Sequence, residues 1–477
     1  MLNLIISQAC VNVGVTTRLT YNSAPDIWGP DRIVWYYFFG ERTPQNLYLV
    51  GDTVHILWIR SGAGNRYNRS RDRGNTWDYC TGSDCGGITV LNYYWESSIV
   101  ARGSKVHAVA YCWDCSPSSW VPYNRSMDNG TTWDYSPIGQ NIFDASEYGL
   151  GTQSLDSPSM DATLSGDTIL LVVDAYSQGI RVKRTFDGGN TWGPYGGIVI
   201  AYPSSSYERH PQIAYNELDK WFVCYTDYPY IKVTYSTDYG STWSTPIDLD
   251  TLTTFMEFNS CHVSAHGNHV AVVWFDKKGD AVNVYFRESL DGGLTWRPKI
   301  NLTGLTGGGD TAAGATVTVR NNTVYVTWFE KSSRAPGGDF DIFMACRPHP
   351  DSSWYPAQRV SFTAGRSLWP MVAFYWVGTG RYAIVCWQDK EPDNSYNYEI
   401  YCATLRPLLG EEDLKVEEVR VEEVRPFEVL GRVVVLRKEG SIYDVSGKIV
   451  GKGGRISLKP GIYFVEAGGK VQKIVIR

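Results

Sequence analysis

Apolar and polar residues alternate in short runs over most of the chain, with the period of strands and not that of helices. One group of runs occupies residues 261–265, 269–275 and 282–287, and a fourth short run follows at 298–302. β-Branched and aromatic residues are enriched in these runs, as is typical of strands. The pattern therefore predicts units of four antiparallel strands, which is the composition of a propeller blade.

The second run of each unit is the clearest, and it recurs seven times, at residues 54–58, 106–111, 169–173, 221–225, 270–275, 324–329 and 382–387. We therefore expect an all-β, seven-bladed β-propeller. The seventh unit lacks a fourth run, whereas residues 13–20 resemble the fourth strand of other units. We expect this N-terminal strand to pair with the last blade, since that pairing would remove an exposed sheet edge.

An eight-residue phrase follows the third run in five units, at residues 70–77, 126–133, 185–192, 236–243 and 289–296. Its aspartates are Asp72, Asp128, Asp187, Asp238 and Asp291. Aspartate accepts hydrogen bonds from backbone N–H groups just ahead of it, and glycine supplies the positive φ that a tight turn needs. The closing tryptophan is large enough to fill the gap between neighbouring units. The phrase predicts a structural hairpin turn that needs no ligand.

This phrase resembles the Asp-box, or bacterial neuraminidase repeat, of sialidases and many other secreted propellers. The resemblance covers roughly residues 44–354 and implies a sialidase-like β-propeller. It also implies that the five aspartates are structural and lie away from the active site. Sialidases have six blades, and the seven expected here argue against sialidase chemistry.

Composition changes abruptly near residue 410, and a chain of 477 residues is long enough for two domains. We expect the propeller over residues 10–409, a charged linker over 410–425 and a small C-terminal β-sandwich over 426–477. This C-terminal part contains the segments YDVSGK, LKPGIYFV and KIVI in that order. It resembles the C-terminal sorting domain of type IX secretion cargo, which implies delivery to the cell surface or the medium. The alternative is a small fibronectin-like accessory module.

Export is also indicated at the N-terminus, where residues 1–9 resemble the end of an export signal with small residues before a cleavage site. The net charge of −6 argues against a nucleic-acid partner. No apolar stretch approaches the ~20 residues of a membrane-spanning helix.

All ten cysteines precede residue 403, and disulfides are the expected state in an exported protein. Cys80 and Cys85 frame a short loop, and Cys112 and Cys115 form a CxxC sequence without the second pair that zinc would need. We also expect a bond between Cys10 and Cys402, on strands predicted to be neighbours.

Arg42, Arg209 and Arg366 precede the innermost strands of units one, four and seven. The resemblance to sialidases implies that such an arginine clamps a substrate carboxylate. Only Arg42 and Pro44 match the sialidase motif, because Glu41 and Thr43 depart from it.

Tyr207 and Glu208, beside Arg209, could correspond to the catalytic Tyr–Glu pair of the family, with the tyrosine as nucleophile. No motif selects an acid/base aspartate, although Asp144 and Asp156 lie in a crossover. The alternative for all three arginines is pairing with nearby carboxylates.

An acidic residue ends the second strand of units three to seven, at Asp174, Asp227, Asp276, Glu330 and Asp389. These carboxylates could bind Ca²⁺, but residues repeated in so many blades favour loop caps. We expect no other cofactor.

Aromatic residues of the loops could stack on sugars. They are Trp28, Trp35, Tyr36, Tyr37, Tyr93, Tyr94, Trp95, Trp113, Trp120, Tyr228 and Tyr230.

The sequence favours an exported or cell-surface propeller that binds extracellular glycan or another surface ligand without sialidase catalysis. One alternative is a glycoside hydrolase acting on extracellular polysaccharide. Another is a structural surface protein that self-associates.

Overall fold

A computed structural model describes most of the chain. The described residues are 11–19, 26–27, 46–60, 63–82, 84–92, 96–112, 115–151, 155–203, 209–254, 260–335, 338–363, 365–377, 380–390, 398–407, 427–430, 433–444, 448–467 and 470–476. Within them the regular elements are strands and two 3-10 helices, Ala145–Tyr148 and Tyr176–Gln178. The chain divides into two compact units, Met1–Leu409 and Gly410–Arg477.

Unit 1 begins with β1 (Val11–Arg18), and its blades follow in chain order. The first blade contains β2 (Asp26–Ile27), β3 (Leu47–Val50), β4 (Thr53–Arg60), β5 (Gly64–Ser70) and β6 (Ile88–Leu91). The second contains β7 (Ser97–Arg102), β8 (Lys105–Ala110), β9 (Trp120–Ser126) and β10 (Gln140–Asp144). The third contains β11 (Asp156–Ala162), β12 (Ile169–Asp174), β13 (Ile180–Thr185) and β14 (Gly193–Ala201).

The remaining blades have the same internal order. The fourth contains β15 (Gln212–Tyr215), β16 (Trp221–Asp227), β17 (Tyr230–Ser236) and β18 (Ile247–Thr251). The fifth contains β19 (Cys261–His266), β20 (His269–Lys278), β21 (Ala281–Ser289) and β22 (Ile300–Asn301). The sixth contains β23 (Thr311–Arg320), β24 (Thr323–Lys331), β25 (Asp341–Arg347) and β26 (Gln358–Arg359). The seventh contains β27 (Arg366–Val377), β28 (Gly380–Lys390), β29 (Tyr398–Pro407) and β1.

Five of the blades are separate sheets, and the fifth and sixth are joined into one eight-stranded sheet. The junction is a single parallel pair, Val282 with Thr311, between two antiparallel groups of four strands. The predicted all-β propeller is therefore present, although hydrogen bonding merges two of its blades.

The innermost strands form a closed ring. Contacts run from β3 to β7, β11, β15, β19, β23 and β27, and from β27 back to β3. β1 pairs antiparallel with β29, so strands from the two ends of unit 1 share the last blade. That pairing covers the outer edge of β29, which would otherwise expose unpaired backbone groups.

Large apolar side chains fill the blades at equivalent positions of the second strand. Fully buried tryptophans of this kind are Trp58, Trp274, Trp328 and Trp387, and in the fourth blade Tyr225 takes the same position. Removal of one such ring would cost about 3 kcal/mol or more of folding free energy.

Three disulfides lie in the described part of unit 1. Cys80 is bonded to Cys85 and Cys112 to Cys115, which confirms the expectation of disulfides for both short loops. The predicted bond between Cys10 and Cys402 is wrong, because Cys402 is bonded to Cys386. These two cysteines are direct cross-strand partners on β28 and β29, a proximity that spacing along the chain does not reveal. Cys10 itself lies outside the described residues.

Unit 2 is a small β-structure of five strands. They are β30 (Phe427–Leu430), β31 (Val433–Asp444), β32 (Ile449–Ser457), β33 (Gly461–Ala467) and β34 (Lys470–Ile476). The long strand β31 pairs with β30, β32 and β33, so it holds the unit together.

Candidate functional site

The antiparallel blades give unit 1 two distinct ends, which we call the turn face and the loop face. In the fourth blade, Trp221 lies opposite Ser236, where the repeated turn begins, and Asp227 lies opposite Tyr230 at the other end. The turn face carries the five repeated turns and the links between first and second strands. The loop face carries the links between second and third strands and the crossovers between blades.

The repeated turns share one hydrogen-bond pattern. In the second blade, Asp128 Oδ1 accepts from Ser126 Oγ at 2.7 Å and from the backbone N–H of Thr132 at 2.8 Å, and Oδ2 accepts from Thr132 Oγ1 at 2.7 Å. The same three contacts recur at Asp72, Asp187, Asp238 and Asp291. These carboxylates are engaged within their own turns.

These hydrogen bonds stabilise the charged form of each carboxylate. For Asp128, slight burial raises the pKa, but the bonds from Thr132 and Ser126 outweigh it and the pKa falls to about 2. The pKa of Asp187 is also about 2, chiefly because the Thr191 N–H donates to it. Both pKa values lie below the usual value for aspartate, and the turns are therefore charged at neutral pH.

Each turn packs on the preceding blade. The Trp133 ring meets the Tyr67 ring edge to face at 5.0 Å, and Trp192 meets Tyr123 in the same way at 5.2 Å. Gly130 has φ +82, and a Cβ at this position would clash with the Tyr67 side chain. The turn therefore needs glycine both for its backbone and for its contact with the neighbouring blade.

On the loop face, Arg209 is buried and ion-paired with Asp174. Its Nη1 donates to Asp174 Oδ1 at 2.8 Å, and its backbone N–H donates to Asp174 Oδ2 at 3.1 Å. Nη1 also donates to the Tyr176 carbonyl. Arg209 thus fixes the backbone that follows the second strand of the third blade.

Arg366 is half-buried at the start of β27, where its Nε donates to Asp339 Oδ1 at 2.9 Å. Both arginines that the structure describes are therefore paired with carboxylates of the protein. The other predicted site residues, Arg42, Trp28, Trp113, Tyr207 and Glu208, lie outside the described residues.

The acidic residues that end the second strands accept hydrogen bonds from nearby loops. Asp276 accepts from the Thr253 N–H at 3.0 Å, and Glu330 accepts from Ser332 Oγ at 2.5 Å. Asp389 accepts from Thr363 Oγ1. This is the behaviour of loop caps.

No group of three or more His, Cys, Asp or Glu side chains within the described ranges could hold a metal ion. None of the described helices is long and apolar enough to cross a membrane.

Two tyrosines expose their rings beside the Arg209–Asp174 pair. Tyr176 is 58% exposed and Tyr202 is 70% exposed. The Tyr202 ring lies next to Gly179, which ends the short helix that begins at Tyr176. Tyr176 also has φ +39, a backbone conformation that bulky residues rarely adopt. The sequence analysis missed both tyrosines, because only their exposure and backbone geometry distinguish them.

A second cluster lies where the central channel reaches the turn face. Arg102 Nη1 donates to Glu217 Oε1 at 2.6 Å, and its Nη2 donates to Asp161 Oδ1 at 3.2 Å. Arg320 Nη1 lies 2.6 Å from Glu217 Oε2, and His266 Nε2 lies 3.8 Å from the same oxygen. The five side chains come from blades two to six. The sequence offered no signal for them, because they share no motif.

Burial and neighbouring charges shift the pKa values of Glu217, Asp161 and His266. Burial raises the pKa of Glu217, but Arg102 and Arg320 outweigh it, so the pKa lies below its ordinary value. The pKa of Asp161 is raised because its complete burial outweighs the nearby Arg102. Burial lowers the pKa of His266, and Arg320 adds to the effect. His266 is therefore neutral at pH 7.

Solved structures with a similar fold include a lectin, a polysaccharide lyase and a sialidase. BP39L lectin from Burkholderia pseudomallei is 13% identical, with a TM-score of 0.51 over 75% of this chain and 98% of that chain. The polysaccharide lyase Uly1 is 10% identical, with a TM-score of 0.50 over 83% of this chain and 100% of that chain. A variant of NanB sialidase from Streptococcus pneumoniae is 9% identical, with a TM-score of 0.44 over 67% of this chain and 69% of that chain.

At identities this low, the likeness shows a β-propeller fold and nothing further. No protein-family model and no curated protein matches the chain in sequence.

Proposed function

We propose that this protein is an exported β-propeller that binds an extracellular glycan on its loop face, without sialidase catalysis. The observation that carries the proposal is Tyr176. Its ring is exposed and its backbone is in a strained conformation, while the buried Arg209–Asp174 pair holds its carbonyl. Strained backbone of this kind persists only where the surrounding structure enforces it, and such residues cluster at functional sites.

Two exposed tyrosines suit a sugar ligand. Sugar rings have apolar faces that pack on aromatic rings, and the tyrosine hydroxyl adds a polar group at the rim. Tyr176 begins the short helix between β12 and β13, and the Tyr202 ring lies beside Gly179 at the end of that helix. The lectin and polysaccharide-lyase folds above are consistent with a carbohydrate ligand.

The engaged arginines argue against a sialidase-like clamp. Such a clamp needs guanidinium groups that are directed at the substrate carboxylate. Arg209 and Arg366 instead bind Asp174 and Asp339. We therefore expect the ligand to be a neutral glycan and not a sialoside.

The protein is also proposed to be exported and displayed at the cell surface. Disulfides form and persist in oxidising compartments, and three bonds in the propeller unit support export. We propose that unit 2 is the sorting module that directs the protein to the cell surface. Removal of unit 2 should leave glycan binding intact and abolish display of the protein on the cell surface. Protease treatment of intact producing cells measures that display, because only protein at the surface is cleaved.

The test of glycan binding is titration of the full chain with a panel of neutral and sialylated oligosaccharides. Tyr176→Ala and Tyr202→Ala should each weaken binding of a neutral glycan about threefold to tenfold, since an aromatic contact contributes ~0.5–1.5 kcal/mol. Tyr195→Ala is the matched control, because Tyr195 is 79% exposed on β14 outside this loop-face connection. Equal losses in all three variants, or no binding of any glycan, would overturn the proposal.

A hydrolysis assay with chromogenic glycosides of the same sugars, α-sialosides included, distinguishes binding from catalysis. We expect no turnover. Turnover that is lost in Glu208→Gln or Arg209→Ala would establish a glycoside hydrolase instead.

A further inference from the structure

The core between the fourth and fifth blades contains two thiols in contact. Cys224 and Cys261 are the free cysteines of the described residues, and both are fully buried. Cys224 lies on β16 in the fourth blade, and Cys261 begins β19, the innermost strand of the fifth blade. The two side chains belong to one apolar cluster, in which their thiols form a hydrogen bond. The pair therefore bridges two neighbouring blades.

The two sulfur atoms are placed so that a disulfide can form. A disulfide holds its sulfur atoms about 2.05 Å apart and needs side chains that point toward each other. Thiols in hydrogen-bond contact already have that orientation, so small rotations of the side chains complete the approach. β15 and β16 of the fourth blade both pack on β19, which keeps the two backbones close.

The seventh blade has a disulfide at the equivalent position. Cys224 and Cys386 each directly precede the large aromatic residue of the second strand in their own blade. Cys386 is bonded to Cys402, its cross-strand partner on the third strand. The corresponding partner of Cys224 is Val233, so the same bond cannot form within the fourth blade. The sulfur of Cys224 instead contacts Cys261 of the next blade.

We propose that Cys224 and Cys261 form a redox site, in which oxidation joins them in a disulfide that links the fourth and fifth blades. The oxidant is another disulfide, either of glutathione or of a dithiol oxidoreductase in an oxidising compartment. One thiolate attacks a sulfur atom of the oxidant, which forms a mixed disulfide and releases one thiol of the oxidant. The second thiolate attacks the protein sulfur of the mixed disulfide and releases the other thiol. Two electrons and two protons pass from the pair to the oxidant.

Burial of the pair determines when this reaction takes place. Burial raises the pKa of the Cys224 thiol, and the contact with Cys261 adds to the effect. A protonated thiol is a poor nucleophile, and an oxidant cannot reach a fully buried sulfur. Exchange therefore occurs while the two blades are still apart. The closed core then preserves two thiols in a chain that folded under reducing conditions and a disulfide in a chain that folded under oxidising ones.

The test is refolding of the full, reduced chain from urea in a mixture of reduced and oxidised glutathione. Remaining thiols are then blocked with N-ethylmaleimide under denaturing conditions, and an unreduced digest is analysed by mass spectrometry. We expect two peptides joined through Cys224 and Cys261, with N-ethylmaleimide on neither residue. Refolding in dithiothreitol should give N-ethylmaleimide on both. The Cys386–Cys402 bond in the same digest confirms that oxidation took place.

The variant Cys261→Ala measures the effect of the bond on stability. Oxidative refolding should raise the urea midpoint of the unmodified protein by about 1 M more than that of Cys261→Ala, because the bond closes a loop of roughly 40 residues. Each shift is taken relative to the same protein refolded in dithiothreitol. The comparison thus removes the contributions of the substituted side chain and of the other disulfides. Cys224→Ala should behave as Cys261→Ala does, and the mass-spectrometric result depends on neither variant.

Three results would overturn the proposal. They are N-ethylmaleimide on Cys224 and Cys261 in a digest where Cys386 is bonded to Cys402, a bond from either residue to a different cysteine, and equal midpoint shifts in the unmodified protein and Cys261→Ala. The refolding involves neither a glycan nor an exporting cell. Failure of this proposal is therefore distinguishable from failure of the glycan and export proposals.

Discussion

The repeated turns and the cluster of Arg102, Asp161, Glu217, His266 and Arg320, which we call the channel mouth, lie at the same face of the propeller but are built in different ways. Each repeated turn is local, because Asp128 finds its partners within four residues of itself. The channel mouth is long-range, because Arg102 and Glu217 are 115 residues apart in sequence. The turns repeat one sequence in five blades, whereas the side chains of the mouth come from blades two to six and share no motif. Repetition therefore identifies the scaffold and gives no sign of the ion-pair cluster.

The largest expected effect concerns acid stability. The turn aspartates have lowered pKa values, so between about pH 4 and pH 2 the unfolded chain binds more protons at these groups than the folded chain. Their contribution is complete above pH 4 and is lost as pH falls through about 2. After solvent screening we expect roughly 1 kcal/mol for each of the turns at Asp128, Asp187 and Asp291, or about 3 kcal/mol for these three.

Urea unfolding followed by tryptophan fluorescence between pH 5 and pH 2 measures this loss, and it reports on unit 1 because all tryptophans precede residue 388. Asp128→Asn should make the free energy of unfolding less dependent on pH, since the substitution removes one titrating group. Asp161 has the opposite shift in pKa, so Asp161→Asn should make the dependence steeper. A flat profile in the unmodified protein would contradict the account of the turns.

Glu217→Ala should destabilise unit 1 by about 3 kcal/mol. It removes the carboxylate that the buried Arg102 shares with the half-buried Arg320 and leaves Asp161 as the carboxylate paired with Arg102, and loss of one partner of a buried ion pair is costly. Urea unfolding at pH 7 measures the change. Glu288→Gln is a useful comparison, since Glu288 is also buried and paired with Arg347 within the propeller.

Substitutions of residues in the channel mouth should also be coupled in their effects on the free energy of unfolding. The double variant Glu217→Ala with Arg320→Gln should be more stable than the sum of the single losses predicts, by about 1–2 kcal/mol, because the two side chains contact each other and their shared interaction can be lost only once. Additive losses would show that the two side chains do not act together.

Asp128→Ala should cost only about 1 kcal/mol, since the turn loses hydrogen bonds at an exposed position. Combination with Asp291→Ala should be additive within ~0.5 kcal/mol, because the two turns are in different blades and share no partner. Urea unfolding of the three variants checks both values. Strong coupling between the turns would contradict the view that each acts locally.

The sequence by itself determined the features that depend on near neighbours. Strand alternation predicted the all-β blades, and the phrase around Asp128 predicted its turn, because strands and turns are specified by residues a few positions apart. The short-loop disulfide of Cys80 and Cys85 was predictable for the same reason.

Only the tertiary structure decided which distant residues meet. It paired Cys402 with Cys386, directed Arg209 to Asp174, and brought Arg102 to Glu217 across the channel. Such contacts depend on closure of the ring and on strand register, and a shift of one residue would turn each side chain to the other face of its sheet. The ion-pair cluster of the channel mouth belongs to this second group, since it exists only where the blades converge.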